Sequence, residues 1–264
     1  MRLGFIGCGN MATAMIKGIM DSKKVMAEEI IASAKSVRTK EKIKSELGIC
    51  VAQKNVDVVK NADVIFLAVK PVFYEEVICE VRDAVRDDQI IVTIAPGKTL
   101  EWLREKFKKD VKIIRTMPNT PAMVKEGMLG LCKNELVTSE EMELICNLCE
   151  SFGKAEEVPE RLMDVVVGVS GSSPAYVFMF IEALADAAVA DGMPRAQAYR
   201  FAAQSVLGSA KMVLETGMHP AALKDMVCSP GGTTIEAVRV LEEKGMRSAV
   251  FEAAKACVKK AKEM

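Results

Sequence analysis

The chain has 264 residues, half of them hydrophobic, which is enough for one large or two medium domains with a sizeable core. Its 36 basic and 36 acidic residues cancel, so neither a nucleic acid nor an acidic membrane surface is expected as a partner. The chain opens in an apolar run without a positively charged leader, and glycines and a proline break its longest uncharged stretch, 165–181. We therefore expect a cytoplasmic protein that does not span a membrane.

A glycine-rich elbow directly follows the first predicted strand. The strand is the run 3–6, the elbow reads Gly7-Cys8-Gly9-Asn10-Met11-Ala12, and apolar residues at helical spacing come next. This is the G-x-G-x-x-A pattern of dinucleotide sites, in which the first glycine permits the turn and the second lets a pyrophosphate approach the backbone. Because the first N–H groups of the helix face such a ligand, we predict a nucleotide-binding site here.

Strand and helix patterns then alternate along the first half of the chain. Strands are predicted at 29–33, 49–52, 64–69, 90–94, 112–116, 128–132 and 155–158, the last two as edge strands. Helices are predicted at 35–47, 55–61 with Asn55 as its cap, 73–85, 99–107 with Thr99 as its cap, and after a cap at Thr138 or Ser139. This alternation predicts a doubly wound sheet whose strands all end at one edge.

From residue 164 onward only helical patterns remain. They cover 174–190, 194–216, 220–227, 233–243 and 246–262. The sequence therefore predicts a dinucleotide-binding domain at 1–160 and a helical domain at 161–264. The helix 174–190 is apolar or small on nearly every side, and such a helix must be buried all round. We expect this domain to form at least a homodimer.

The end of the second predicted strand indicates which dinucleotide is preferred. An NAD site usually has an acidic residue there to hold the ribose hydroxyls, whereas this strand ends in Ser33 and is followed by Lys35 and Arg38. A small hydroxyl beside cations suits a 2′-phosphate, so we favour NADPH and keep NADH as the second cofactor. The alternative is that Lys35 and Arg38 merely begin a solvated helix.

The eight cysteines and the single histidine form no metal-binding pattern. Scattered cysteines in a chain without a leader indicate free thiols. Cys146 and Cys149 are formally C-x-x-C, but they lie in a predicted helix without a second pair, and His219 has no companion ligands. We therefore predict no metal site.

A second glycine-rich turn lies in the helical half. Ser229-Pro230-Gly231-Gly232-Thr233-Thr234 leads into a predicted helix and places N–H donors and hydroxyls at the positive end of its dipole. A carboxylate suits such an anion site. An ordinary turn between helices, capped by Thr233, would have the same composition, so both interpretations stay open at this point.

Five segments together resemble the pyrroline-5-carboxylate reductase family, which catalyses the last step of proline synthesis. They are IGCGNM at 6–11, LAVKP at 67–71, RTMPNTP at 115–121, SGSSPAY at 170–176, and LKD through SPGGTT at 223–234. The last segment is the signature region of the family. The agreement in order and spacing spans essentially the whole chain.

The resemblance implies a Rossmann domain followed by a helical dimerisation domain, in subunits that interleave and often assemble into decamers. It implies an NAD(P)H-dependent reductase of the cyclic imine 1-pyrroline-5-carboxylate. With the elbow and the second strand, the implied cofactor-binding residues are Gly7, Cys8, Gly9, Asn10, Met11, Ser33, Lys35, Asn55, Ala68, Val69, Lys70, Pro71, Ile94, Ala95 and Pro96.

The resemblance also implies where the substrate binds. The substrate-binding residues are Glu160, Ser229, Gly231, Gly232, Thr233 and Thr234. Thr234 is the candidate catalytic residue, because its hydroxyl can hydrogen-bond the substrate and its ring nitrogen. Hydride transfer belongs to the cofactor, while the protein supplies orientation and excludes water. Solvent can protonate the imine, so no general acid is assigned.

Two alternatives stay open, a second kind of enzyme and a non-catalytic binding protein. A β-hydroxyacid or related imine dehydrogenase would need a catalytic lysine, and the central candidates Lys211 and Lys224 do not lie in that motif. A non-catalytic NADPH sensor would keep the elbow but has no reason to keep a carboxylate-binding turn. The sequence leaves open the size of the assembly, the strength of the cofactor preference and the acceptance of a six-membered imine.

Overall fold

The computed structural model describes residues 1–264, apart from the side chain of Lys42. The chain forms two compact units, one from Met1–Ser172 with Cys257–Met264 and the other from Ser173–Ala256. The first unit contains the sheet and its covering helices, and the second is helical. The predicted fold class, an α/β sheet domain followed by a helical domain, is confirmed.

The elements alternate as the hydrophobic patterns indicate. The strands are β1 Leu3–Ile6, β2 Ile30–Ser33, β3 Cys50–Val51, β4 Val64–Leu67, β5 Ile90–Thr93, β6 Lys112–Met117, β7 Gly127–Lys133 and β8 Gly153–Glu157. The helices within Met1–Ser172 are α1 Asn10–Asp21, α2 Val37–Leu47, α3 Asn55–Lys60, α4 Tyr74–Val81, α5 Leu100–Phe107, α6 Ser139–Cys149 and α7 Met163–Val166.

The sheet has the strand order β3-β2-β1-β4-β5-β6-β7-β8. Strands β1 to β6 are parallel, and their register aligns Ile6 with both Ser33 and Leu67, and Leu67 with Thr93. The carboxyl ends of these strands therefore meet at one edge. The prediction of a single edge for all strands is wrong for β7, which pairs antiparallel with β6, and for β8, which is parallel to β7.

The physical reason lies in the connection between β6 and β7. A parallel strand needs a crossover of a dozen residues or more, whereas here the chain turns back through the short 3-10 helix Thr120–Val124. Strand β7 then lies between β6 and β8. It is therefore an interior strand, and the prediction that it lies at the sheet edge is wrong.

Helices cover both faces of the sheet. One face packs against α1, α2 and α6, and its core includes the stacked rings of Phe5 and Phe66, with centroids 4.7 Å apart. The other face packs against α3, α4 and α5 around Tyr74 and Phe107. Both cores are continuous across the central strands, which are buried on both sides as their unbroken apolar runs indicate.

Of the helix caps predicted for the first unit, two are confirmed and one is wrong. The hydroxyls of Thr99 and Thr138 accept hydrogen bonds from N–H groups in the first turns of α5 and α6. Helix α3 is instead capped at Lys54, whose N–H donates to the Asp57 carboxylate at 3.1 Å. Asn55 therefore does not cap α3, and its side chain takes part in the candidate site described below.

The second unit contains α8 Ser173–Ala190, α9 Arg195–Thr216, α10 Pro220–Val227, α11 Thr233–Glu243 and most of α12 Met246–Lys262. Among the described residues, one helical stretch, Glu160–Ala190, has the length and composition to cross a membrane, although these features alone are weak evidence. It includes the π-helical turn Val167–Gly171.

Candidate functional site

The first glycine of the elbow is held in a conformation that only glycine adopts easily. Gly7 has a φ of +90°, and a Cβ built there would lie 2.7 Å from the carbonyl oxygen of Ala68. Its N–H donates to the carbonyl of Ser33 at 3.1 Å, and the N–H of Ala68 donates to the carbonyl of Ile6 at 2.8 Å. These contacts bring the ends of β1, β2 and β4 together.

The second glycine borders open space. A Cβ built on Gly9 would meet nothing within 4 Å among the described residues. Gly9 is the N-cap of α1, with an extended backbone, and its carbonyl accepts the N–H of Thr13 at 2.9 Å. The first N–H groups of α1 have no partner within the helix, so the elbow can receive an anion at close range.

A cavity of about 590 Å³ lies above this elbow, at the carboxyl edge of the sheet. It brings together nine residues predicted to bind the cofactor: Gly7, Cys8, Gly9, Ser33, Lys35, Asn55, Ala68, Val69 and Lys70. The remaining predicted residues, Asn10, Met11, Pro71, Ile94, Ala95 and Pro96, are not among the residues that line it. They begin α1, follow Lys70, or follow β5.

Other lining residues were missed by the sequence analysis. They are Ala34, Ser36, Thr39, Lys40, Gln53, Lys54, Phe73, Glu76, Val77 and Glu80. Helical spacing offered a signal for some of them, because Ser36 and Lys40 are four residues apart and share one face at the start of α2. Arg38 does not line the cavity, whereas Lys40, Lys54 and Lys70 line it together with Lys35.

A chain of hydrogen bonds crosses the cavity wall from β2 to α4. The hydroxyl of Ser33 donates to Asn55 Oδ1 at 2.7 Å, and Asn55 Nδ2 donates to Glu80 Oε2 at 2.6 Å. Ser33 is 2% exposed, so its hydroxyl is fixed in place. Three residues from distant parts of the sequence thus form one polar unit at the end of β2.

Four lysines line the cavity, and two of them, Lys35 and Lys40, have different partners. Lys40 Nζ donates to the backbone and side-chain oxygens of Gln53, at 3.1 and 3.2 Å. Lys35 Nζ lies 5.3 Å from the centroid of the Phe73 ring, a cation–π distance. Both cations are therefore held near the end of β2 by groups that leave their charge uncompensated.

Tyr74 ties together the two loops that follow β4 and β5. Its buried hydroxyl donates to the carbonyl of Leu67 and accepts the N–H of Ile94 at 3.2 Å. Burial raises the pKa of this hydroxyl, so it remains protonated and able to donate. The predicted cofactor loops that begin at Ala68 and Ile94 are thus anchored by a residue that sequence reasoning missed.

Glu160 is engaged within the first unit. Its Oε1 accepts the N–H of Leu100 at 2.7 Å and the guanidinium of Arg115, whose side chain is 5% exposed. One carboxylate therefore caps the start of α5 and neutralises a buried arginine on β6. The structure gives this predicted substrate residue a structural role.

The second glycine-rich turn begins α11 in the helical unit. Gly231 has a φ of +67°, and the N–H of Gly232 donates to the carbonyl of Ser229 at 3.0 Å. Gly232 is the N-cap, and no side chain caps this helix among the described residues, so the interpretation of Thr233 as a cap is wrong. The first N–H groups of α11 thus have no side-chain acceptor.

Two family models match the chain. The model for pyrroline-5-carboxylate reductase dimerisation matches residues 160–264, and the model for coenzyme F420-dependent NADP oxidoreductases matches residues 2–97. The pyrroline-5-carboxylate reductase of Escherichia coli (strain K12) is 53% identical over 263 residues, which are 100% of this chain and 98% of that protein.

Solved structures agree with these matches. A pyrroline-5-carboxylate reductase from Coxiella burnetii superposes with a TM-score of 0.91 at 34% identity, and covers 99% of this chain and 97% of its own. A pyrroline carboxylate reductase from Plasmodium falciparum, solved with NADP bound, has a TM-score of 0.91 at 30% identity with the same coverage of both chains. Likeness at this level extends over both units.

Proposed function

Because the chain belongs to the pyrroline-5-carboxylate reductase family, we propose that it transfers hydride from NAD(P)H to the C=N bond of 1-pyrroline-5-carboxylate and releases proline. The single observation that carries this proposal beyond family membership is the elbow at Gly7–Gly9. Its open approach to the α1 N-terminus lies under a cavity of about 590 Å³.

The residues around this cavity suit a nicotinamide dinucleotide. We assign its binding to Gly7, Cys8, Gly9, Asn10, Met11, Ser33, Lys35, Asn55, Ala68, Val69, Lys70, Pro71, Ile94, Ala95 and Pro96, and we add Lys40. The α1 N-terminus would receive the pyrophosphate. Lys35 and Lys40 near Ser33 favour a 2′-phosphate, so NADPH is the preferred cofactor and NADH the second.

The substrate carboxylate suits the turn at the start of α11. We assign substrate binding to Glu160, directly before the helical substrate and dimerisation domain at 161–264, and to Ser229, Gly231, Gly232, Thr233 and Thr234 within that domain. The free N–H groups of the first turn and the helix dipole favour a negative charge there. Glu160 would act through its present bonds to Arg115 and Leu100, which fix the position of its carboxylate.

The proposed reaction needs no general acid or base from the protein. A nicotinamide dinucleotide held at the elbow would supply the hydride for the ring carbon of the protonated imine, and solvent would provide the proton on nitrogen. The turn at 229–234 fixes the carboxylate and thereby the face of the ring that is presented. Thr234 is the candidate to hydrogen-bond the ring nitrogen with its hydroxyl.

Self-association is part of the proposal. The matched dimerisation model supports it, and α8 leaves Phe178 and Met179 61% and 69% exposed in the single chain. We infer that a second copy covers this face in a homodimer and that dimers assemble further into a decamer. The inferred enzyme works in the cytoplasm without nucleic-acid or membrane partners.

Activity is tested by following NADPH oxidation at 340 nm with pyrroline-5-carboxylate, and then with NADH. We expect turnover with both and faster turnover with NADPH. Thr234→Ala should lower kcat/KM about tenfold or more, because it removes one hydrogen bond to the substrate. Thr216→Ala is the matched control, because its hydroxyl donates to the Met212 carbonyl within α9.

Two outcomes would contradict the proposal. Absence of imine reduction in a folded protein that still binds NADPH would favour the sensor alternative. Oxidation of a hydroxyacid without reduction of the imine would favour the dehydrogenase alternative. Unchanged kinetics of Thr234→Ala would remove that residue from the site without affecting the assignment of the reaction.

A further inference from the structure

The hydrogen-bond chain Ser33–Asn55–Glu80 has a fixed direction. An ionised carboxylate only accepts hydrogen bonds, so Glu80 requires the amide NH₂ of Asn55 to face it. The amide oxygen then faces Ser33, and the Ser33 hydroxyl spends its one hydrogen on that oxygen at 2.7 Å. Glu80 thus dictates the orientation of a hydroxyl that it does not touch.

The orientation of the Ser33 hydroxyl determines which 2′ group of the cofactor's adenosine ribose it can bind. With its hydrogen spent on Asn55, Ser33 can offer only lone pairs to a ligand at the end of β2. Lone pairs suit a ribose 2′-hydroxyl, which donates, whereas a 2′-phosphate needs donors. Lys35 and Lys40, which line the same cavity, carry such donors.

We propose that Glu80 is a positioning residue for cofactor specificity, which acts through Asn55 to keep Ser33 an acceptor and so retains binding of NADH against NADPH. The inference rests on the proposed use of a nicotinamide dinucleotide. Helix α4 thereby supplies a carboxylate, that of Glu80, to the cavity. Strand β2 ends in Ser33, at the position where an acidic residue is usual.

Reversing the chain is costly while Glu80 is present. If the Ser33 hydroxyl turns its hydrogen toward a phosphate, the Asn55 oxygen loses its donor. Rotating the amide to satisfy Ser33 would then place the Asn55 oxygen against the Glu80 carboxylate, acceptor against acceptor. A glutamine at position 80 removes this conflict, because its amide can donate to Asn55 as well as accept from it.

The test measures binding of adenosine 2′,5′-bisphosphate and of 5′-AMP by isothermal titration calorimetry. We expect Glu80→Gln to raise the affinity ratio of the bisphosphate over AMP about tenfold, the effect of one charge-assisted hydrogen bond. Glu76→Gln is the matched control, because it removes the same charge one turn away in the same cavity, outside the Ser33–Asn55–Glu80 chain. A smaller change in the ratio is expected there.

A second background separates positioning from simple charge. In a Ser33→Ala protein, Glu80→Gln should no longer change the ratio more than Glu76→Gln does, since the hydroxyl that Glu80 orients is gone. An equal effect of Glu80→Gln with and without Ser33, or equal effects of the two glutamines in the wild-type background, would overturn the inference. Failure of both nucleotides to bind would instead overturn the proposed cofactor.

Discussion

At the scale of single residues, Glu160 and Arg115 show why a predicted site residue has a second role. Arg115 lies in the middle of the sheet, aligned with Thr93 on β5 and Cys132 on β7. A buried guanidinium is costly unless it is paired and hydrogen-bonded. Glu160 supplies that pairing and also accepts the N–H of Leu100, so its removal affects stability before it affects any ligand.

We predict that Glu160→Gln lowers the free energy of unfolding by about 2 kcal/mol, because the amide leaves Arg115 without a counter-charge. Urea unfolding without substrate measures this effect alone. Glu156→Gln, on the exposed part of β8, is the control and should change stability by less than about 0.5 kcal/mol. A stable Glu160→Gln protein with impaired turnover would assign Glu160 to the substrate instead.

Buried thiols make the stability of the protein sensitive to alkaline pH. Burial raises the pKa of Cys132 from an ordinary value of 9.0 to about 12, and burial also raises the pKa of Cys149. Above pH 9 the unfolded chain releases these protons while the folded chain keeps them. Stability is therefore fully present below pH 9 and falls as the pH rises toward 12.

We predict that the free energy of unfolding decreases by up to about 1.4 kcal/mol per pH unit for Cys132 between pH 9.5 and 11. Guanidinium unfolding at several pH values should show a shallower decline in Cys132→Ala. Cys50→Ala removes an exposed thiol and serves as the control. Identical slopes in Cys132→Ala and the parent would contradict this origin of the pH dependence.

At the scale of elements, the two glycines of the elbow between β1 and α1 have different roles, Gly7 in folding and Gly9 in binding. Gly7 is needed by the protein itself, because a side chain there would strike the Ala68 carbonyl and because its φ is +90°. Gly9 has neither constraint. Its missing side chain leaves open space beside the α1 N-terminus, which is the expected place of a pyrophosphate.

We predict that Gly7→Ala and Gly9→Ala fail in different ways. Gly7→Ala should lower the free energy of unfolding by about 2 kcal/mol or more through backbone strain and the clash. Gly9→Ala should cost less than about 1 kcal/mol yet weaken NADPH binding at least tenfold. Calorimetry of melting and of binding distinguishes them, and tight binding by Gly9→Ala would contradict a pyrophosphate at the elbow.

Periodicity predicted most of the elements, because the apolar runs of the central strands and the helical spacing of their neighbours are local features. Thr99 and Thr138 were recognisable as caps for the same reason. The antiparallel direction of β7 could not be predicted in this way, since it depends on the return turn after β6. Glu80 was missed because only the packing of α4 on the sheet brings it to Asn55.

At the scale of the whole molecule, the apolar surface of the helical unit requires a partner. Of the described residues of α8, only Ala185 is buried, while Phe178 and Met179 are largely exposed in the single chain. Exposed apolar surface of this kind marks an interaction site. In a symmetric dimer each residue of the interface occurs twice, so one substitution acts on both sides.

We predict that Phe178→Glu dissociates the assembly. Each copy loses about 1.5 kcal/mol or more of apolar burial and would bury a charge, so the dissociation constant should rise at least about a hundredfold. Light scattering after size exclusion should then give the mass of one chain. Val37→Glu, 70% exposed at the start of α2, is the control and should leave the assembly intact.

Phe178→Glu also tests whether a second copy of the chain or a lipid membrane covers the exposed face of α8. Flotation with phosphatidylcholine vesicles should leave the parent protein in the soluble fraction, because its apolar face is occupied by the partner subunit. Vesicle binding by the parent that Phe178→Glu abolishes would instead assign the face to a membrane. Retention of the full mass by a folded Phe178→Glu protein would place the subunit interface on another surface.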